Sequence, residues 1–127
     1  MGVPRVVKAG VVAAVFSGAP STLHALLTGR DVLAAVRAAG TLAPGGKSNV
    51  LAGAAAHAVV SAGWTVVLAA VNRRRRLGVA GGAVAGLVIA AADLELAGRW
   101  YPAIRDLPRV PQWLDHVAFG AIVGGML

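Results

Sequence analysis

The chain contains three histidines, His24, His57 and His116, and each falls in a stretch otherwise nearly free of charge. Asp93 lies in a fourth such stretch. A neutral imidazole can ligate a metal, carry a proton or act as a general acid or base near pH 7, and a carboxylate can orient it. Four uses fit the set His24, His57, Asp93 and His116. The three imidazoles could hold a divalent metal such as zinc, with Asp93 filling the fourth position or leaving it open. No H-E-x-x-H spacing supports that use. The same groups could relay protons or hold a polar solute, as intramembrane His and Asp do in transporters. They could serve as acid and base toward a lipid-like substrate. Finally, they could simply tie helices together, each hydrogen bond contributing about 0.6 kcal/mol. Ser21, Ser61 and Asp115 are the expected supporting groups. No G-x-S-x-G setting surrounds any serine, and the absence of Cys removes thiol nucleophiles, disulfides and thiolate metal sites.

The elements that must position these residues follow from composition. Of 127 residues, 57% are hydrophobic and 13% charged, whereas soluble domains run at about 45–50% and about 25%. Such a chain is neither disordered nor a soluble nucleic-acid module, despite its net charge of +7. The basic residues sit in short clusters between long apolar runs, the mark of an integral membrane protein. About 20 apolar residues cross a bilayer core. Four runs qualify, giving an all-α, polytopic, single membrane domain with spans over 9–28, 49–71, 77–98 and 111–127. The last is about 25 Å long and barely spans, so its carboxylate sits at the far interface or the natural chain continues. A cleaved signal sequence ending at Ala19 would leave Pro20 after the cut, so the first segment is read as a retained span.

Lys and Arg set the orientation. Arg5, Lys8 and the run Arg73–Arg76 gather on one side. Arg30, Arg37, Lys47, Arg99, Arg105 and Arg109 spread over two longer connections on the other. The totals tie and density decides, placing both termini on the cytoplasmic side. The lipid bilayer is then the first partner, with a second copy or a membrane partner subunit as further candidates and no nucleic acid. The arginine run is also a candidate contact for anionic lipid. Asp31–Ala39 reads as a short interfacial helix, and 99–111 as irregular. Trp100, Tyr101 and Trp113 suit an interfacial belt. Gly45-Gly46-Lys47-Ser48 ends like a phosphate loop, but lacks its spacing and preceding strand. It reads as a turn into the next span, opened by Ser48 or Asn49.

With this orientation all the titratable groups within spans fall in the outer half. His24 and Asp93 lie about 6–7 Å from the outer ends of their helices, and His57 about 12 Å. Helical faces refine the set. Gly82, Gly86 and Asp93 share one face, and His116, Gly120 and Gly124 another, both suited to close packing. Gly53, His57 and Ser61 align with Trp64 beyond. Pro20 should kink the first span. Glu95 points away from Asp93 and is expected to pair with Arg99 one turn on. The spacing of His24 from Gly29-Arg30 matches that of Asp93 from Gly98-Arg99, which suggests two parallel helical-pair repeats.

Tyr101-Pro102-Ala103-Ile104-Arg105, followed by Asp115-His116-Val117-Ala118-Phe119-Gly120, resembles the C-terminal part of small uncharacterised bacterial, particularly actinobacterial, membrane proteins. The resemblance covers about the last 30 residues and implies a four-helix integral membrane fold in a bacterial cytoplasmic (inner) membrane, but no activity. The helix count is also similar to that of small multidrug transporters, which carry an essential carboxylate in the first span; this chain has His24 there and no acid. The leading expectation is binding or translocation of a small polar solute, proton or metal through the His/Asp cluster. A membrane-embedded enzyme and a structural subunit are the alternatives.

Overall fold

The computed structural model describes residues 1–127 and contains helices and connections but no strand. Helix α1 (Val3–Phe16) continues after a break at Ser17-Gly18 into α2 (Ala19–Thr28), which ends at Gly29 in the left-handed conformation that glycine adopts without strain. Short helix α3 (Ala34–Ala39) leads through a 3-10 turn to α4 (Val50–Arg74). Helix α5 (Gly78–Ala90) changes pitch twice, becoming π-helical over Ala91–Leu96 and 3-10 over Ala97–Trp100. A single turn, α6 (Pro102–Arg105), precedes α7 (Arg109–Met126).

Several local signals act as their residue types dictate. The Asn49 side chain accepts from Ala52 N–H at 2.8 Å and starts α4. Asp31 accepts from Leu33 N–H and pairs with Arg37 across the short helix. Gly45 and Gly46, both at positive φ, make the turn before α4. The first helix begins earlier than expected, at Val3 rather than Ala9, because Gly2 and Pro4 form a good helix start. Arg5 and Lys8 therefore lie on its first turns. The 99–111 connection is not wholly irregular, since Pro102 opens α6.

Three helical stretches are long and apolar enough to cross a membrane: Val3–Thr28, Val50–Arg74 and Gly78–Trp100. They leave much of their apolar surface uncovered. Val3, Val7, Val11 and Val15 form a stripe of which each member is more than half exposed, an arrangement that water disfavours and lipid accepts. The fourth expected span corresponds to α7, whose first half carries Arg109, Gln112, Asp115 and His116. Those residues put it below the apolar content of the other three. Its position explains this, because α7 is the innermost helix, with Phe119 and Val123 buried in the core beside Ala9, Ala13, Leu68 and Ile89.

Helices α5 and α7 meet through glycine. A Cβ on Gly82 would strike the carbonyl of Gly120, and one on Gly86 would strike the carbonyl of His116 and lie 2.8 Å from Val117 Cα. Gly120 and Gly124 face back onto Gly86 and Gly82 in the same way. The α1–α4 contact is different in kind, with Gly10 set against the Thr65 side chain. The two helical pairs are thus packed by different means, and the expected repeat is not confirmed. Arg5 Nε donates to the Met126 carbonyl at 2.7 Å, so both termini lie at one end of the bundle.

Gly120→Ala should destabilise the fold by about 1–3 kcal/mol, the usual cost of overpacking. Gly63→Ala on α4, where nothing lies within 4 Å of the new methyl, should be neutral or stabilising by up to about 1 kcal/mol. Thermal unfolding followed by circular dichroism in detergent compares the two, and equal stability of both variants would contradict the close α5–α7 contact.

Candidate functional site

The break between α1 and α2 exposes backbone groups that a continuous helix would satisfy. Pro20 has no N–H to offer, and the chain turns at Ser17-Gly18 just before it. Two side chains meet the groups left over. His57 Nε2 lies 2.9 Å from the Ala14 carbonyl and donates to it from α4. Asp115 Oδ1 accepts from Ser21 N–H at 2.8 Å from α7, taking the place of a cap at the start of α2. Ser21 Oγ donates to the Gly18 carbonyl. The expected Pro20 kink is present, and other helices stabilise it.

Beside the kink lies a cavity of about 510 Å³, lined by the Ser17-Gly18 break, α2, α4, Ile89 near the end of α5, the π-helical segment and α7, together with α3 and the α6 region. Most of its lining is apolar. Its polar wall is centred on Asp93. Trp64 Nε1–H donates to both oxygens of that carboxylate, at 3.2 and 3.1 Å, and His116 Nε2 lies 3.1 Å from Oδ2. His116 Nδ1 is 2.7 Å from the Gln112 carbonyl, which can only accept, so Nδ1 carries a hydrogen. One further proton must then lie between Nε2 and Oδ2. Whether it sits on the ring or on the carboxyl, the Asp93–His116 pair is formally neutral. The side chains of Asp93 and His116 are 27% and 20% exposed, sheltered but reachable from the cavity.

The close α5–α7 contact explains how the pair meets. Gly86 rests on the His116 backbone, and Asp93 follows two turns later. Between them the helix widens to π pitch, a local insertion that re-aims side chains and recurs at functional sites. The same change of pitch redirects Glu95. It does not pair with Arg99 as expected, but with Arg109 at the start of α7, which contacts its two oxygens at 2.6 and 2.7 Å. A π turn shifts every following residue around the axis, so the i+4 neighbour no longer lies above.

Three of the four expected site residues, His57, Asp93 and His116, share the cavity, as do Ser21, Ser61 and Asp115. His24 does not. It lines an adjoining cavity of about 390 Å³ with Arg30, Asp31 and Asp106. No group of three His, Asp or Glu side chains is disposed to hold a metal ion. The three-histidine zinc site is therefore corrected: His24 lies past the kink in another cavity, His57 is turned toward Ala14 and His116 toward Asp93. Trp64, Tyr101 and Gln112 also belong to the cavity, beyond the residues expected there. Trp64 was legible as the residue next on the Gly53–His57–Ser61 face. Tyr101, expected in the interfacial belt, lines the cavity, whereas Trp100 is 68% exposed.

Compared with known proteins, the chain matches no family model, no curated protein and no solved structure. The function must be argued from the site itself.

Asp115→Ala should leave the Ser21 N–H without its partner and cost about 1 kcal/mol. Asp115→Asn keeps an acceptor oxygen and should recover most of that. Amide hydrogen exchange at Ser21 checks it: faster exchange in the alanine variant alone is expected, and unchanged exchange in both would contradict the cross-helix cap.

Proposed function

We propose that this chain is a four-span integral membrane protein of the bacterial cytoplasmic membrane that binds or passes a small polar solute or a proton at the Asp93–His116 pair. The observation that carries the proposal is the Trp64–Asp93–His116 group on the cavity wall. His57 and Asp115 answer a need of the backbone at the α1–α2 break. Trp64, Asp93 and His116 answer none, since the helices they sit on are closed by glycine contact and apolar packing. Ionisable side chains in such surroundings are costly and tend to mark solute or proton sites. A cavity of this size is in the range of small-molecule sites, about 300–1,000 Å³, and combines an apolar wall with a few convergent polar groups.

Four crossings are supported by the placement of both termini at one end, together with Arg5, Lys8 and Arg73–Arg76. Binding is favoured over catalysis by the state of His116. Both its ring nitrogens are engaged within the protein, so neither is free to take a proton from a substrate without breaking a bond to Gln112 or Asp93. A membrane-embedded enzyme acting on a lipid-like substrate would need that rearrangement.

Two measurements test the reading. The chain has no Cys, so Gly45→Cys and Arg75→Cys provide clean topology markers. A membrane-impermeant maleimide applied to intact cells should label the first and not the second, and the reverse pattern would overturn the orientation. Native mass spectrometry of protein released from a mild detergent should show a bound small molecule on the wild type, lowered at least tenfold in Asp93→Ala. Equal occupancy in both, or none in either, would count against a ligand site at Asp93.

A further inference from the structure

The five acidic side chains divide sharply by partner. Asp31 pairs with Arg37, Glu95 with Arg109 and Asp106 with Arg105, all outside the large cavity. The other two, Asp93 and Asp115, have no Lys or Arg partner, and both line it. No Lys or Arg lines this cavity at all, although 12 are present in the chain. Asp93 is met by Trp64 N–H and by a proton shared with His116, and Asp115 by Ser21, with the His57 and His116 rings as its nearest titratable neighbours. With the Asp93–His116 pair formally neutral, one carboxyl remains without a counter-charge. A carboxyl sheltered from water is stabilised by a proton or by a cation brought to it.

The remaining lining fixes what kind of cation. Most of the wall is apolar and includes Ile89 and Phe119, with Trp64 against the Asp93 carboxyl and Tyr101 also on the lining. Aromatic faces attract ammonium groups and pack well against apolar bodies. A hydrated metal ion would gain little from such a wall, and no metal-holding group is present. We propose that the cavity selects organic ammonium compounds, with an apolar or aromatic body against Ile89, Phe119 and Tyr101 and the ammonium directed to Asp115 and Asp93. This inference rests on the proposed binding function and names the class of its ligand. The site has the sign opposite to that of the whole protein. At a net +7 the surface attracts anions, while the cavity admits cations.

Three tritiated probes of one shape separate charge from size: 4-phenylbutylammonium, 4-phenylbutanol and 4-phenylbutyrate. Each is bound to full-length protein in nanodiscs, with empty nanodiscs subtracted. The ammonium should bind at least tenfold more tightly than the alcohol, and the carboxylate least well. Asp115→Asn should cut the preference for ammonium over alcohol to less than threefold while leaving alcohol binding intact, which also shows that the variant is folded. Asp93→Asn should do the same to a lesser degree. Alcohol and ammonium binding equally to the wild type would overturn the cation selection and leave a binding site of other specificity. A preference for the carboxylate would overturn it as well. No saturable binding of any probe would overturn both the cation selection and the proposed binding function.

Discussion

The geometry of the site depends on the contact between α5 and α7, where backbone meets backbone because four glycines leave nothing in between. In a soluble protein the hydrophobic effect would drive two such helices together. In lipid that drive is absent, and association relies on van der Waals contact and on the few hydrogen bonds that close approach permits. Gly82 and Gly86 set against Gly120 and Gly124 bring the helix axes near enough for the carboxyl of one to reach the imidazole of the other. A methyl group at any of these positions would meet backbone, which cannot move aside as the end of a side chain can. The Asp93–His116 pair is therefore a consequence of the glycine face. Once formed it adds a polar tie to the same interface.

The second constraint is the break at Ser17-Gly18. A helix that loses its hydrogen-bond ladder inside an apolar bundle leaves carbonyls and amides that must be met, since each unmet group costs free energy. Here α4 supplies His57 and α7 supplies Asp115. The bent α1–α2 rod leaves room beside it, and that room is the cavity. The same proline thus explains both the opening and two of the polar groups on its wall. The pitch change in the third span works in parallel, by turning Asp93 inward and Glu95 toward Arg109.

Much of this was legible in the residues, though unevenly. The glycine faces, the kink and a cap at Ser48 or Asn49 follow from local rules of spacing and side-chain size, which need only the sequence; the structure assigns the cap to Asn49. The inward position of Asp93 followed from sharing a face with Gly82 and Gly86, and that of His116 from Gly120 and Gly124. The π segment was not legible, because an Ala-Ala-Asp-Leu-Glu-Leu stretch carries no breaker and suits an α-helix equally well. Its pitch is set by tertiary packing, and the Glu95–Arg99 expectation failed with it. The metal expectation failed for a different reason. Equal depth in the bilayer places histidines in one layer, but helix azimuth decides whether they meet. Beyond the Pro20 kink, the azimuth of His24 no longer follows from the first half of its span.

These two failures bear on the chemistry that remains. Three imidazoles around a point would make a site for a metal, with histidine the principal group and aspartate secondary. Separating them reverses the order. His57 serves a backbone carbonyl, His116 shares a proton with Asp93, and the group left without a full counter-charge is a carboxyl. Arg105, at the end of α6, and Arg109, at the start of α7, are both committed to acids outside the cavity. Had either turned inward, it would have closed the charge balance of the wall and removed the electrostatic basis of the proposed cation site. These arginines therefore matter to the site through the partners they already hold.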